Sequence, residues 1–170
     1  MTTEPASYEL FRSARRSAVH LEMRDMYTPE DPDYRDWREG RRFNPAERWA
    51  DWFNLISATV ARGVIVRRAR VISEPVTDFI RFEYEVTKDH NIAAGEQVRW
   101  LPRQHATDLA LPGNDFWVFD SEVLIINHFA GDGSWVGEER CDDPVTAKLC
   151  AYAFEQVWKR ATPHEHYRSP

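Results

Sequence analysis

Cysteine is scarce: the 170 residues hold only Cys141 and Cys150. With no CxxC partner for either, zinc ribbons and dithiol redox centres are excluded, and Cys150 reads as a small buried helix residue. No apolar run approaches the roughly 18 residues that a spanning helix needs. The first residues, MTTEPASYELF, lack the basic-then-apolar order of an export signal, so the expectation is a cytoplasmic protein without a membrane segment. Internal repeats and low-complexity stretches are also missing. So are the phosphate loop, GxGxxG, GxSxG and any Cys nucleophile pairing, which leaves no complete catalytic motif.

What is present is an ordinary globular mixture rich in tryptophan. Hydrophobic residues make up 42% and charged residues 29%, with seven Trp. A single domain of this length buries about 70% of its extended surface and needs no staple. The net charge of -6 and pI near 5.5 argue against nucleic acid or an anionic membrane as the partner of the whole surface.

The densest apolar stretch lies within Gly113–His128. Phe116 and Val118, then Val123 to Ile126, predict a hairpin turning at Asp120-Ser121-Glu122, in the middle of a sheet. A strand is expected from Ala18 to about Met26, with Val19, Leu21 and Met23 on one face and His20, Glu22 and Arg24 on the other. Thr28–Asp36 reads as an acidic loop, and Trp37–Phe43 as irregular with Arg38, Arg41 and Arg42 exposed.

Asn44, Pro45 and Glu47 start a helix predicted to run to Arg62, with Trp49, Trp52, Phe53, Ile56 and Val60 as its buried stripe and Gly63 as its stop. A strand Val64–Ile72 follows. Pro75–Thr87 fits both an alternating strand and a helical stripe through Val76, Phe79, Ile80 and Tyr84. Gln97–Leu101 is a short strand, and Trp135–Glu138 an edge strand. Asp143 and Pro144 open a last helix whose stripe is Cys150, Ala153, Phe154, Val157 and Ala161. Ser7 is expected to cap a short first helix. Residues 1–6 and 162–170 are expected to be flexible ends of one domain spanning 1–170.

Several groups could carry chemistry. The polar row His20, Glu22, Arg24 and Asp25 is either a solvated salt-bridge ladder or an acid–base set. Arg62, Arg67, Arg68, Arg70, Arg81, Arg99 and Arg103 either pair with Glu22, Asp25, Glu83 and Glu85 or grip phosphate or carboxylate. His128, with His20 and Asp115 or Asp120, lacks close ligand spacing, so no metal is expected. His164 and His166 form an HxH on the tail. Arg99-Trp100 and Phe116-Trp117 set aromatics beside a cation, although core packing is their default use.

Four segments, HLEMRDMY from His20, RRARVISEPVTDFIRFE from Arg67, GEQVRW from Gly95 and LPGNDFWVFD from Leu111, resemble an actinobacterial family of unknown function. The resemblance covers nearly the whole chain. It implies a cytoplasmic protein encoded beside helix-turn-helix regulators and small acidic partners. The order of elements also resembles one half of a phospholipase D-type domain. In that family the motif is His-x-Lys, four residues and Asp. Counting back from Asp120 puts Asp115 where the lysine belongs and Gly113 where the histidine belongs. The nucleophile and the phosphate clamp are both missing, so that chemistry is not expected. Such halves often pair, which implies a homodimer.

The expectation is a single α/β domain, a central mixed sheet flanked by helices, forming a phospholipase D-like half without the catalytic His-x-Lys. It would act as a non-enzymatic regulatory or signalling accessory module that binds a small anionic ligand or a partner regulator. The ligand would be met by His20, Glu22, Arg24, Arg70, Arg81, Arg99, Trp100, Asp115, Asp120 and His128. No catalytic residue, metal or cofactor is assigned. The alternatives are an enzyme in which His20, Glu22, Asp120 and His128 converge in one cleft, and nucleic-acid binding through the Arg62–Arg70 strand, set third because of the net acidity.

Overall fold

The computed structural model describes residues 4–168. In chain order the helices and strands are α1 (Ala6–Ser13), β1 (Ser17–Glu22), α2 (Pro32–Arg38), α3 (Pro45–Arg48), α4 (Ala50–Ala61), β2 (Ile65–Ile72), α5 (Asp78–Thr87), β3 (Gln97–Pro102), β4 (Asp115–Phe119), β5 (Val123–Phe129), β6 (Trp135–Cys141), α6 (Pro144–Arg160) and β7 (Thr162–Pro163). They form one mixed sheet in the order β6-β5-β4-β1-β2-β3-β7. Strands β1, β2 and β3 are parallel and the other pairings antiparallel. No helix among the described residues is long and apolar enough to cross a membrane.

The predicted hairpin forms between β4 and β5, with β6 as the edge strand beside it. The remaining elements layer on the two faces. On one face Val19, Leu21, Ala69, Val71, Leu101, Phe116, Val118 and Leu124 meet the stripe of α6, including Ala147, Cys150, Phe154 and Val157. Asp143 caps that helix as expected, accepting from the Thr146 backbone N–H at 3.0 Å. The opposite face carries two separate apolar clusters. One joins Leu10, Phe11, Ile56, Val66, Trp117 and Ile125; the other joins Tyr34, Ile72, Phe79, Phe82, Val98 and Trp100.

Four local expectations change. Asp31, read as loop, caps α2 by accepting from the Asp33 N–H at 2.7 Å. The helix expected to run unbroken from Pro45 breaks at Trp49 (φ -113, ψ 44), where the indole Nε1 turns to donate to Asp33 Oδ2 at 2.7 Å. The ambiguous Pro75–Thr87 stretch is helical from Asp78, capped by Thr77 rather than alternating as a strand. Ser7 does not cap α1, whose N-cap is Pro5.

The tail also differs from expectation. Thr162–Pro163 add a strand to β3, His164 accepts from Trp100 Nε1 at 3.1 Å, and Tyr167 stacks on Trp100 with centroids 5.6 Å apart. An aromatic pair and a buried indole donor supply what the polar composition of the segment hid. Residues 1–3, 169 and 170, included in the expected flexible ends, lie outside the described residues.

Helix α5 continues into a π-turn, Lys88–Ile92, closed by Gly95. Gly95 has φ +100, and a Cβ there would meet Val60 Cγ1 of α4 at 2.9 Å. Left-handed strain and overpacking act together, so Gly95→Ala is expected to cost about 1–3 kcal/mol. Urea denaturation checks this; a midpoint equal to that of the wild type would refute it.

Candidate functional site

The alternation read from the sequence puts His20 and Glu22 on the face of β1 opposite Val19 and Leu21. Parallel register then sets His20 beside Arg68 and Glu22 beside Arg70 on β2. Trp117 of β4 lies across from His20. This polar row is neither solvated nor at an edge. It runs between the two apolar clusters, and His20, Glu22, Arg68 and Arg70 are each less than 9% exposed.

Burial at this depth requires every charge to find a partner. Glu22 takes both guanidiniums: Arg68 Nη1 donates to its Oε1, and Arg70 Nε donates to its Oε2 at 2.6 Å. Arg68 Nε donates to Glu96 Oε1 at 2.7 Å, and Asn91 Nδ2 donates to Glu96 Oε2 at 2.8 Å. Arg70 Nη1 donates to Thr87 Oγ1 at 2.6 Å. His20 sets Nε2 3.1 Å from Glu22 Oε1 and Nδ1 2.7 Å from the Phe116 carbonyl, and its ring stacks on Trp117 at 4.3 Å.

Burial pushes the Glu22 carboxyl upward, but Arg68 and Arg70 outweigh it and hold the group well below the usual carboxylate range. Burial likewise works against the charge on Arg68, and Glu22 and Glu96 raise it above its ordinary value. Further along, the Tyr27 hydroxyl donates to Asp115 Oδ2, while the Met23 N–H donates to Oδ1 at 3.0 Å. Burial raises Asp115, against the lowering effect of the Tyr27 hydrogen bond.

Beside this network is a cavity of about 340 Å³. Its walls include Trp49, Trp52, Phe79, Phe82, Val86 and Trp117; its polar border includes Tyr27, Asp31, His20, Arg68, Arg70, Glu83, His90 and Asn91. The π-turn presents His90 and Asn91, the kind of local distortion often found at functional sites. Two bordering atoms, Glu83 Oε2 and His90 Nε2, are buried without a hydrogen bond among the described residues. The cation nearest Glu83 Oε2 is Arg70 Nε at 3.6 Å, too far for a hydrogen bond and already engaged by Glu22. Burial lifts Glu83 to about 8 despite Arg70. Burial and Arg68 depress His90 to about 4, so its ring is neutral at pH 7.

A larger depression of about 910 Å³ lies where the tail meets the end of β3. Its ion pair, Arg160 with Asp108 at 2.5 Å, is exposed, and none of the residues around it has a buried polar atom left without a partner. Arg24 Nε is a further buried atom without a hydrogen bond among the described residues, in a groove lined by Arg103 and Asp115; the smaller cavity borders two such atoms of opposite chemistry.

Of the residues expected to meet a ligand, His20, Glu22 and Arg70 come together, while Asp115 lines the neighbouring groove that holds Arg24 and touches the site only through the Tyr27 hydroxyl. The others disperse. Arg24 donates to the Ala130 carbonyl at 3.0 Å, in a separate groove with Phe129. Arg81 is exposed and pairs with Asp78. Arg99 is on the α6 face, its guanidinium 4.3 Å above the Trp158 ring. Trp100 is wholly buried beneath Arg70 and supports it without reaching the cavity.

Asp120 sits in the hairpin turn at φ 53 and accepts from the backbone N–H groups of Arg15, Arg16 and Ser17. His128 pairs with Glu139 on an exposed hairpin. His20, Glu22, Asp120 and His128 therefore do not share a cleft. On the Arg-rich strand, Arg68 and Arg70 point into the network, while Arg67 pairs with Glu155 at 2.6 Å.

Sequence reading missed Glu83, His90, Asn91 and Glu96 as site residues. Glu83 carried a usable signal: with Phe79, Phe82 and Val86 it follows i, i+3, i+4, i+7, an acid on an apolar helical stripe. No periodicity reports His90, because the π-turn breaks the helical spacing.

These features define an α/β domain with a buried charge network beside an aromatic-walled cavity. The chain matches over residues 5–169 a family described as a domain of unknown function, DUF6879, and belongs to that family. No curated protein matches it in sequence. Among solved structures it is similar to TrmBL2, described as an archaeal chromatin protein with a novel mode of DNA binding. The TM-score is 0.50 at 12% identity, over 91% of this chain and 48% of that one. This chain thus spans about half the length of that relative.

The likeness corrects the expectation about partners. Net acidity was the ground for placing nucleic acid behind a small anion, an acidic protein or a helix-turn-helix regulator. The fold is similar to part of a chromatin protein described as binding DNA, so the expectation that nucleic acid is an unlikely partner no longer stands.

Proposed function

We propose that the chain is a non-catalytic, cytoplasmic regulatory module whose aromatic-walled cavity takes a small organic molecule. The observation that carries this reading is the pair of buried, unpartnered atoms, Glu83 Oε2 and His90 Nε2, bordering one cavity. Native proteins seldom leave such atoms unsatisfied, and a molecule in the cavity, a ligand or an ordered water, would satisfy them. A network that fixes Arg68 and Arg70 in place preorganises the site at little further entropic cost on binding. The guanidiniums themselves are occupied by Glu22 and Glu96, so they organise the cavity instead of gripping an anion.

The phospholipase D-like half scaffold and an actinobacterial origin belong to this same reading. Asp120, the one retained motif position, anchors backbone amides at the far end of β4 from Asp115 and supports no phosphoryl chemistry.

The test is a thermal-shift screen of small molecules with native mass spectrometry on the hits. A true ligand at about 100 times its Kd is expected to stabilise the fold by about 2.7 kcal/mol and to be recovered chemically unchanged. Conversion of the ligand would replace this reading with an enzymatic one, and silence across a broad panel would remove it.

Binding to DNA is the second reading, favoured by the fold shared with TrmBL2. The inward and paired arginines of β2 do not serve it, so any DNA contact lies elsewhere on the protein. A gel shift that weakens steeply with salt supports this reading, and no shift at low salt ends it.

A further inference from the structure

The cavity's chemistry also indicates the class of ligand, an inference that rests on the small-molecule reading above. Three carboxyls, Glu22, Glu83 and Glu96, are packed beside two guanidiniums, Arg68 and Arg70, and a fourth, Asp115, is linked to the cavity border through Tyr27. Each guanidinium is matched: Glu22 bridges both, and Glu96 takes the second donor of Arg68. Asp115 receives Tyr27 and the Met23 amide. Glu83 is the acid left over, with Oε2 unbonded and its side chain 13% exposed. The remaining titratable groups facing the cavity are Tyr27, which donates to Asp115, Asp31, whose carboxylate caps α2 by accepting from the Asp33 and Tyr34 N–H groups, His20, engaged with Glu22 and Phe116, and His90, whose Nε2 has no hydrogen bond among the described residues.

We propose that the cavity takes an organic cation, a protonated amine or amidine attached to a small apolar body, with Glu83 as its counter-ion. The Trp49, Trp52 and Phe82 walls pack against the apolar part, and their ring faces favour positive charge. A neutral His90 Nε2 offers a further hydrogen-bond site near the same place. An anion would meet the unmatched acid and no unengaged guanidinium.

Proton balance follows. Glu83 holds a proton at pH 7 in the empty cavity, because burial lifts it to about 8. When the cation enters, Glu83 ionises and the proton goes to solvent. Affinity therefore rises with pH, by close to tenfold per unit below pH 8, and levels off above it.

Three probes of one shape separate the outcomes: benzamidine, cationic; benzamide, neutral; benzoate, anionic. Tryptophan fluorescence and calorimetry would be read at about pH 6 and 8.5, on either side of the Glu83 transition. The expected result is that benzamidine binds best, more tightly at the higher pH, and that Glu83→Gln weakens it at least tenfold. Benzamide binding equally well, or a Glu83→Gln protein that binds benzamidine unchanged, overturns the cation assignment while leaving the cavity a small-molecule site. Preference for benzoate also overturns it. If none of the three perturbs the tryptophans, the cation assignment falls, and the broad thermal-shift panel decides the small-molecule reading separately. Should Glu83→Gln not fold, the wild-type ranking of the probes and its pH dependence decide alone.

Discussion

Glu22→Gln is expected to destabilise the protein by about 3–5 kcal/mol, the range for removing one partner of a buried ion cluster. Glu22 accepts from Arg68 and Arg70 and faces His20 Nε2, and its side chain is 9% exposed. An amide keeps the shape and loses the charge. Arg68 then retains only Glu96, and Arg70 retains the Thr87 hydroxyl and the more distant Glu83. Moving either guanidinium out to water would open the sheet face between two apolar clusters. The exposed pair Arg16–Glu122, with side chains 66% and 70% accessible, is the control; breaking it changes stability by about 0–1 kcal/mol. Urea melts measure both. A Glu22→Gln midpoint within error of the control would show that the network is not holding the fold. The pH sign is fixed by the depressed Glu22 carboxyl: its stabilisation is present above 4.5 and fades as the pH falls through the lowered folded value.

Glu83→Gln should act in the opposite sense. The folded carboxyl is lifted by burial from 4.5 to about 8. Below 4.5 both the folded and unfolded states hold the proton. As the pH climbs towards 8 the unfolded chain gives it up and the folded one keeps it. Wild-type stability falls by up to about 1.4 kcal/mol per pH unit across that window and then levels. Glutamine carries no such proton, so the variant's advantage grows with pH and reaches about 3–5 kcal/mol above pH 8. Paired melts of the two proteins from acid to mildly alkaline pH read the difference directly. Parallel curves would contradict a buried Glu83 that no hydrogen bond holds ionised. A stability cost at a buried acid without a hydrogen bond is the kind of local strain that binding sites retain and that stabilising substitutions remove.

Much of the framework could be read from the sequence, and the reasons are specific. Alternation in β1 separated His20 and Glu22 from Val19 and Leu21, and caps at Asn44 and Asp143 set helix starts, because both signals are local. The site itself depended on register. Nothing in sequence order tells that β1 and β2 run parallel with Glu22 level with Arg70, or that Glu96 closes on Arg68 from beyond the π-turn. Pairing of the strand arginines with Glu22 and Glu83 is one of the two readings of the sequence and is what the structure shows, while Glu96 and Glu155 are partners that reading does not name. The docked tail shows the same limit: Tyr167 and His164 are polar by composition and buried by what they meet. Charge over the whole chain, used to set DNA aside, likewise says little about one surface.

Protonation of the Glu83 side chain is the property on which the cavity's chemistry turns. Carbon-detected NMR of the glutamate carboxyls across a pH titration identifies Glu83 by its loss in Glu83→Gln. The structure requires this carbon to titrate near 8 in the empty protein, with Glu22 still ionised at the acid end of the range. A Glu83 signal that titrates at 4.5 like an exposed carboxyl would place that side chain in water and leave the cavity without its unmatched acid.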